Sequence, residues 1–152
     1  MTRIAAREMA VITVYGMDYG QACEDVIAER LDKDFYERLS GEGGVFSEPP
    51  DERQAEYIRR VAGGVSEHLA ELDGYIDQYV RGWKFSRLPR LTVAVLRVAM
   101  FEALYMSAEV PSAAALNAAV EISKHYETPE TTAFINGVLG SFYRAEIERA
   151  AP

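Results

Sequence analysis

The residues of this chain that could perform covalent chemistry are few and scattered. The only cysteine is Cys23, and the only histidines are His68 and His125. A hydrolytic site needs a nucleophile, a base and a group that orients the base, and no motif surrounds any of the three. Cys23 lies in a strongly acidic segment, which disfavours a reactive thiolate. We therefore predict that the chain is not an enzyme and that both histidines are surface or helix-end residues.

Metal and cofactor sites are not predicted either. The carboxylates at Glu24, Asp25, Asp32 and Asp34 recur at a spacing typical of a solvated acidic face. The glycine-rich segment 41–44 lacks the lysine and the following helix of a phosphate-binding loop. A single cysteine excludes an internal disulfide and indicates a reducing compartment. We expect no metal, no cofactor and a cytoplasmic location.

The distribution of charge is more informative than the net charge of −8. That total argues against a general nucleic-acid binder, which is usually basic. Residues 17–50 carry nine acids and three bases, whereas residues 83–100 carry Lys84, Arg87, Arg90 and Arg97 and no acid. This basic cluster could serve an RNA, a protein partner or intrachain pairing, and the composition alone leaves all three open.

Polar side chains in helical segments supply the remaining candidates. Arg3 and Arg7 are four residues apart, hence on one helix face, where they could contact phosphates or simply be solvated. Tyr15 could stack on an unpaired base or pack as a half-buried side chain. Asn117 and Asn136 lie in apolar helical segments, and a buried amide must find hydrogen-bond partners. We interpret both asparagines as structural ties and expect the neighbouring Gly137 to admit another helix.

Apolar residues recur at helical spacing along the chain, and no convincing strand alternation occurs. This pattern predicts an all-α bundle of two packed three-helix subdomains, residues 1–82 and 83–152. We predict Asp51 and Thr128 as N-caps, and explain Gly63-Gly64 within the third helix by close packing or a kink. The longest apolar run is too short and too charged to cross a bilayer. The predicted helices cover about 4–18, 22–39, 51–80, 90–106, 111–126 and 129–147, with 40–50 irregular.

The order of several short segments carries a family resemblance. The opening Ala6–Val11 is followed much later by Arg87–Arg90, Val95–Glu102, Leu116–Lys124 and Phe134–Leu139. In this order and spacing they resemble the NusB family of bacterial transcription antitermination factors. The resemblance implies an all-α fold of two small helical bundles, in agreement with the periodicity.

The resemblance also implies a function. Members of the family bind the boxA segment of nascent RNA together with NusE, a small-subunit ribosomal protein. The complex helps RNA polymerase to ignore terminators, chiefly in ribosomal RNA operons. The expected partners are therefore boxA RNA, NusE and the RNA polymerase elongation complex with other Nus factors, with a homodimer possible and no membrane. The alternative is a NusB-fold protein-interaction module whose RNA contact is weak or lost.

The same resemblance assigns two groups of site residues. The residues expected to contact RNA are Arg3, Arg7, Tyr15, Lys124 and Phe134. The residues expected to contact a protein partner are Arg87, Arg90 and Glu102. Phe134 is also compatible with a core role. The chain departs from the family pattern where family members often carry charged residues, at Ser112, Ala113, Ala118 and Ala133.

Overall fold

The structure, a computed structural model, describes residues 1–19 and 22–149. Within these residues the chain forms eight α-helices, short 3₁₀ turns and one π-helical turn, and no β-strand. The chain divides into two compact units, Met1–Glu67 and His68–Pro152. The all-α prediction is confirmed. The helices are α1 Arg3–Gly16, α2 Cys23–Leu31, α3 Lys33–Leu39, α4 Glu52–Glu67, α5 Leu69–Tyr79, α6 Arg90–Tyr105, α7 Ser112–Tyr126 and α8 Pro129–Phe142.

In the first unit, α1 packs against α4 and α2. Its buried residues follow the predicted stripe, because side chains three and four positions apart share one helix face. Met9 joins Phe35, Tyr36, Val45 and Ile58 in one buried cluster. The rings of Phe35 and Tyr36 meet edge to face at a centroid distance of 5.2 Å. The buried residues of α1 are Ala6, Met9, Ala10, Val11, Thr13 and Val14.

The prediction of one continuous helix over 22–39 is wrong. Asp32 has an extended backbone (φ −77°, ψ 129°), and its side chain accepts a hydrogen bond from the backbone N–H of Asp34 at 2.9 Å. An aspartate in this position ends α2 and caps the start of α3, because its carboxylate competes with the helical hydrogen bond. Val26 and Phe35 are nevertheless both buried, so the apolar spacing continues across the break.

The prediction of one continuous helix over 51–80 is also wrong. The break lies at His68 (φ −108°, ψ 22°) and separates α4 from α5. Gly63-Gly64 lies within α4, so it does not break the helix. A Cβ atom built on Gly63 would meet nothing within 4 Å, so close helix packing does not explain that glycine. Its place in α4 lowers helix propensity without a packing contact that compensates.

The start of α4 anchors the start of α1. Asp51 Oδ1 accepts from the backbone N–H of Gln54 at 2.8 Å, and Gln54 Oε1 accepts from that of Asp51 at 2.9 Å. This reciprocal capping box confirms the predicted N-cap. Gln54 Nε2 also donates to the carbonyl oxygen of Met1 at 2.6 Å. The segment before the box, predicted as irregular, contains two short 3₁₀ turns, Ser40–Glu42 and Gly44–Phe46.

The second unit is built around α6, which is buried from Thr92 to Ala103. Helices α5, α7 and α8 pack against it. The sequence places α5 in the first half of the chain, 1–82, whereas its apolar side chains Leu72 and Ile76 are buried in the second unit. The structure therefore groups α5 with the C-terminal helices. That the two units act as a single domain stays a prediction.

Two tyrosine hydroxyls tie elements of this unit together. Tyr79 at the end of α5 donates to Glu146 in the π-helical turn Tyr143–Glu148, and this hydrogen bond raises the pKa of Tyr79 to about 12. Tyr105 at the end of α6 donates to Glu71, which raises the pKa of Tyr105 to about 12. No described helix is long and apolar enough to cross a membrane.

Candidate functional site

Arg3 and Arg7 lie on α1, which is positioned by its packing on α4 and by its cap. Thr2 is the N-cap, and its hydroxyl accepts from the backbone N–H of Ala5 at 3.0 Å. Arg3 is exposed and Arg7 is half-buried. A cation in the first turn opposes the helix dipole and costs a few tenths of a kcal/mol or more. Arg3 is therefore poorly placed to stabilise the helix and well placed to meet an anion.

Tyr15 lies near the end of α1 and is half-buried. Its neighbour Val14 is buried in the core of the first unit. The helix thus holds the tyrosine at the margin of the core, with part of the side chain accessible. The structure brings Tyr15, Arg3 and Arg7 onto one helix, and their contact with RNA stays a prediction.

Phe134 lies in the second turn of α8, which begins at the predicted N-cap. Thr128 Oγ1 accepts from the backbone N–H of Thr131 at 3.2 Å, and Pro129 occupies the first turn. Phe134 is half-buried and packs against Trp83, with ring centroids 5.8 Å apart and planes inclined by 58°. Trp83 is 57% exposed. Trp83 is not among the predicted site residues, although a tryptophan between Gly82 and Lys84 in a polar connector is a signal of surface exposure.

The basic cluster of residues 83–100 separates into two parts. Lys84, Arg87 and Arg90 are exposed. Arg97 is buried, and its guanidinium forms a two-pronged ion pair with Asp73, with Nε to Oδ1 at 2.8 Å and Nη2 to Oδ2 at 2.9 Å. Intrachain pairing is therefore the role of Arg97. Lys84 and Arg87 form no ion pair within the described residues, whereas the exposed Arg90 has an interaction of its own.

Glu102 does not share the exposure of the other predicted partner residues. Its side chain lies in the buried stretch of α6 and only 3% of the residue is exposed. A direct contact with a protein partner would require that carboxylate to become accessible. Exposed Arg87 and Arg90 need no such change. The partner-binding role of all three stays a prediction.

Lys124 lies in the last turn of α7 and is exposed. Its ammonium group pairs with Glu121 at 2.8 Å, three residues earlier on the same helix. An exposed pair of this kind contributes well under 1 kcal/mol. The lysine is thus available to exchange its carboxylate partner for a phosphate, as the RNA prediction requires.

The interpretation of Asn117 and Asn136 as buried ties is wrong, because both side chains are exposed. They line a shallow groove of about 120 Å³ on the second unit. Gly137 is exposed as well, and a Cβ atom there would meet nothing within 4 Å, so it admits no neighbouring helix. Both asparagines have apolar neighbours in sequence, and this wrongly indicated burial. The neighbours of a residue in sequence do not show on which side of the helix its own side chain lies. The groove is lined by Ala113, Leu116, Asn117, Val120, Asn136, Leu139, Gly140 and Tyr143.

Cys23 lies at the start of α2, His68 at the break between α4 and α5, and His125 near the end of α7. His68 stacks on Tyr105 at a centroid distance of 4.3 Å, and His125 is exposed near the end of α7. These positions confirm the interpretation of both histidines as surface or helix-end residues. Cys23 is half-buried, and its Sγ lies 3.9 Å from the carbonyl oxygen of Ala62. Within residues 1–19 and 22–149, no three His, Cys, Asp or Glu side chains are grouped to hold a metal ion.

Comparison with known proteins agrees with this arrangement. The model of the NusB family matches residues 4–144. The transcription antitermination protein NusB of Thermoanaerobacter sp. (strain X514) is 36% identical over 146 residues, which cover 96% of this chain and 93% of the relative. NusB of Symbiobacterium thermophilum is 34% identical over 151 residues, covering 95% and 90%.

Solved structures share the fold. A T. maritima NusB structure superposes with a TM-score of 0.78 at 24% identity and covers 95% of this chain and 92% of its own. A chain from the crystal structure of antitermination factors NusB and NusE in complex with dsRNA gives 0.71 at 22% identity, covering 94% and 96%. The role named for the relatives is transcription antitermination, which is not enzymatic, so the prediction of a non-enzyme is confirmed. With a family match along almost the whole chain, this protein belongs to the NusB family.

Proposed function

We propose that this chain binds boxA RNA jointly with the ribosomal protein NusE, and that the complex keeps RNA polymerase elongating through terminators, especially in ribosomal RNA operons. The observation that carries the proposal is the family match over residues 4–144, with relatives named transcription antitermination proteins. A structural neighbour that was solved with NusE and RNA supports the same pair of partners.

The charges of the first unit support an RNA contact at α1. Arg3 is exposed, and no ion pair or hydrogen bond of its side chain occurs within the described part of the chain. Arg7 lies one helical turn further along the same face. Cations near an otherwise acidic surface bind phosphate locally and release condensed counterions, while the surrounding acids limit binding elsewhere on the molecule.

The acidic helices of the same unit support a basic protein partner. The carboxylates of α2, α3 and the loop that follows are exposed, whereas few bases accompany them. Complementary charge of this kind speeds the encounter with a basic ribosomal protein and selects it over acidic proteins. The exposed acids are Glu24, Asp25, Glu29, Asp32, Asp34, Glu37, Glu42 and Glu48.

The RNA contact is tested by the double variant Arg3→Gln and Arg7→Gln. Anisotropy of labelled boxA RNA should show weaker binding, and the slope of log affinity against log salt should become shallower by about 0.7 for each lost phosphate contact. Glutamine keeps much of the aliphatic packing of the half-buried Arg7. Arg53→Gln is the matched control, because Arg53 is an exposed arginine of the same unit without an ion pair in the described chain.

The partnership is tested by calorimetry of NusE binding with and without boxA RNA. Coupling between two ligands is reciprocal, so NusE should tighten RNA binding by the factor by which RNA tightens NusE binding. Absent NusE affinity, or NusE affinity that RNA leaves unchanged, would contradict the antitermination proposal for this chain.

One observation favours the alternative of an interaction module with weak or lost RNA binding. Ser112, at a position where family members often carry a base, is buried and donates to the carbonyl oxygen of Ala103 at 3.0 Å. It serves the packing of α7 on α6 and offers no charge to a phosphate. NusE binding that persists while boxA RNA and an unrelated RNA bind equally weakly would select this alternative.

A further inference from the structure

An exposed tryptophan stands out on the second unit. Trp83 lies in the connector between α5 and α6, next to Gly82, whose φ of +78° suits glycine and turns the chain. A side chain of this size that is 57% exposed leaves a large apolar surface in water, at a cost of about 25 cal/mol per Å². Packing on Phe134 covers only part of it.

Cations without carboxylate partners flank this ring. Arg81, Lys84 and Arg87 are exposed, and within the described residues none of their side chains forms an ion pair or a hydrogen bond. Residues 78–101 contain no acid, although the whole chain carries a net charge of −8. A single-stranded nucleic acid needs an aromatic surface on which its bases can stack and positive charge near its phosphates. Trp83 offers the ring, and the unpaired cations on both sides of it in sequence offer the charge.

The geometry of the ring pair decides how a base could be held. A base clamped between two rings needs parallel planes about 7 Å apart, which is twice the contact distance of about 3.5 Å. The rings of Trp83 and Phe134 are 5.8 Å apart and inclined by 58°, so no base fits between them. Phe134 therefore supports the indole from one side, and only the part of Trp83 that stays exposed is open to a stacking base.

We propose that Trp83, supported by Phe134 and flanked by Arg81 and Lys84, is a stacking site for one unpaired base of a single-stranded RNA. The inference rests on the proposed function and adds to it a contact in the second unit. The observations favour RNA over a protein partner, because the apolar surface is a single ring rather than a broad patch and the charged residues of the connector that carries it are all cations.

The chain carries its own reporter, since Trp83 is its only tryptophan. A base stacked on the indole should quench its fluorescence. A single-stranded boxA oligonucleotide should therefore quench Trp83, whereas an abasic strand of the same length should bind more weakly and leave the emission nearly unchanged. Quenching that is equal for both strands would overturn the proposal.

Substitutions separate stacking from charge. Trp83→Ala should weaken RNA binding about fivefold or more, and Trp83→Phe should restore much of the loss because it keeps an aromatic face. Lys84→Gln and Arg81→Gln should each make the salt slope shallower by about 0.7. Tyr105→Ala is the matched control, since it removes another partly exposed ring from the same unit. Far-ultraviolet circular dichroism confirms that each variant is folded.

The outcomes distinguish this inference from the proposed function. RNA binding that depends on Arg3 and Arg7 but is unchanged in Trp83→Ala overturns the stacking site and leaves the proposed function standing. No RNA binding by the wild type, with or without NusE, overturns both. If Trp83→Ala weakens NusE binding while RNA affinity is unchanged, the surface is a protein interface and the inference is wrong.

Discussion

The two residues of the Arg97–Asp73 ion pair should differ in how much stability is lost when each is substituted. The Arg97 side chain is 8% exposed, whereas that of Asp73 is 26% exposed. Removing the carboxylate takes the Asp73 charge away from a guanidinium that is buried, while removing the guanidinium leaves a carboxylate that water can reach. We therefore expect Asp73→Asn to destabilise the protein more than Arg97→Met.

The magnitudes follow from that difference in burial. Breaking a buried ion pair from one side costs about 3–5 kcal/mol, because a charge remains buried without compensation. Asp73→Asn should lie near the lower end, about 3 kcal/mol, since asparagine still accepts one hydrogen bond and Arg97 keeps its other contacts. Arg97→Met should cost about 1–2 kcal/mol, because methionine fills much of the volume and Asp73 becomes hydrated. Both losses are smaller than the stability of a typical domain, so both variants should fold.

Urea unfolding followed by circular dichroism measures these free energies, and the double variant Asp73→Asn with Arg97→Met closes the cycle. The double variant should be more stable than Asp73→Asn alone, since it removes the buried charge as well. If Arg97→Met were less stable than Asp73→Asn, burial of the remaining charge would not determine the loss of unfolding free energy, and the reasoning would be refuted. RNA affinity of the folded Arg97→Met variant should equal that of the wild type, because Arg97 is engaged inside the second unit.

Three further predictions concern other side chains. Burial raises the pKa of Tyr36 to about 12, so as the pH rises the hydroxyl proton of Tyr36 is lost from the unfolded chain before it is lost from the folded one. The free energy of unfolding should therefore fall between pH 10 and 12, and it should fall by about 2 kcal/mol more in the wild type than in Tyr36→Phe. Urea titrations at each pH measure this difference. Thr128→Ala removes the cap of α8 and should cost about 1 kcal/mol in the same assay, whereas Thr128→Ser should not. Asn117→Ala and Asn136→Ala should each change stability by less than about 0.5 kcal/mol, because both amides are exposed; a cost above about 1 kcal/mol would restore their interpretation as ties.

The sequence predicted helix content well where local chemistry agreed with the apolar period. The caps Asp51 and Thr128 were found because their side chains act within three residues, a range that the sequence displays directly. The breaks at Asp32 and His68 were missed because the apolar stripe continues across both positions. At Asp32 the side-chain carboxylate accepts a backbone hydrogen bond and ends the helix, although the apolar spacing continues. The spacing of apolar residues gives no information about such a hydrogen bond.

The site was predicted less completely because it depends on which side of each helix a residue occupies. Position along the helix matters as well: Arg90 and Arg97 lie seven residues apart on nearly the same side of α6, yet Arg90, at the helix start, is exposed and Arg97, in its middle, is buried against Asp73. Their difference arises from the packing of α5 on α6, which the sequence does not reveal. Asn117 and Asn136 were misplaced for the same reason, and Trp83 was passed over because an aromatic residue is more often part of a core.

An acidic chain can bind RNA when its cations are left without partners in the right places. At physiological salt the Debye length is about 8 Å, so a phosphate senses mainly the charges nearest to it. Arg3 on α1 and Lys84 in the connector are exposed and form no ion pair within the described chain, whereas the exposed Arg59 and Lys124 pair with neighbouring carboxylates. The exposed carboxylates on the rest of the surface disfavour RNA there, and those of α2 and α3 would favour a basic partner. The same composition that argues against general nucleic-acid binding therefore favours binding at a few places, together with a partner that neutralises the acids.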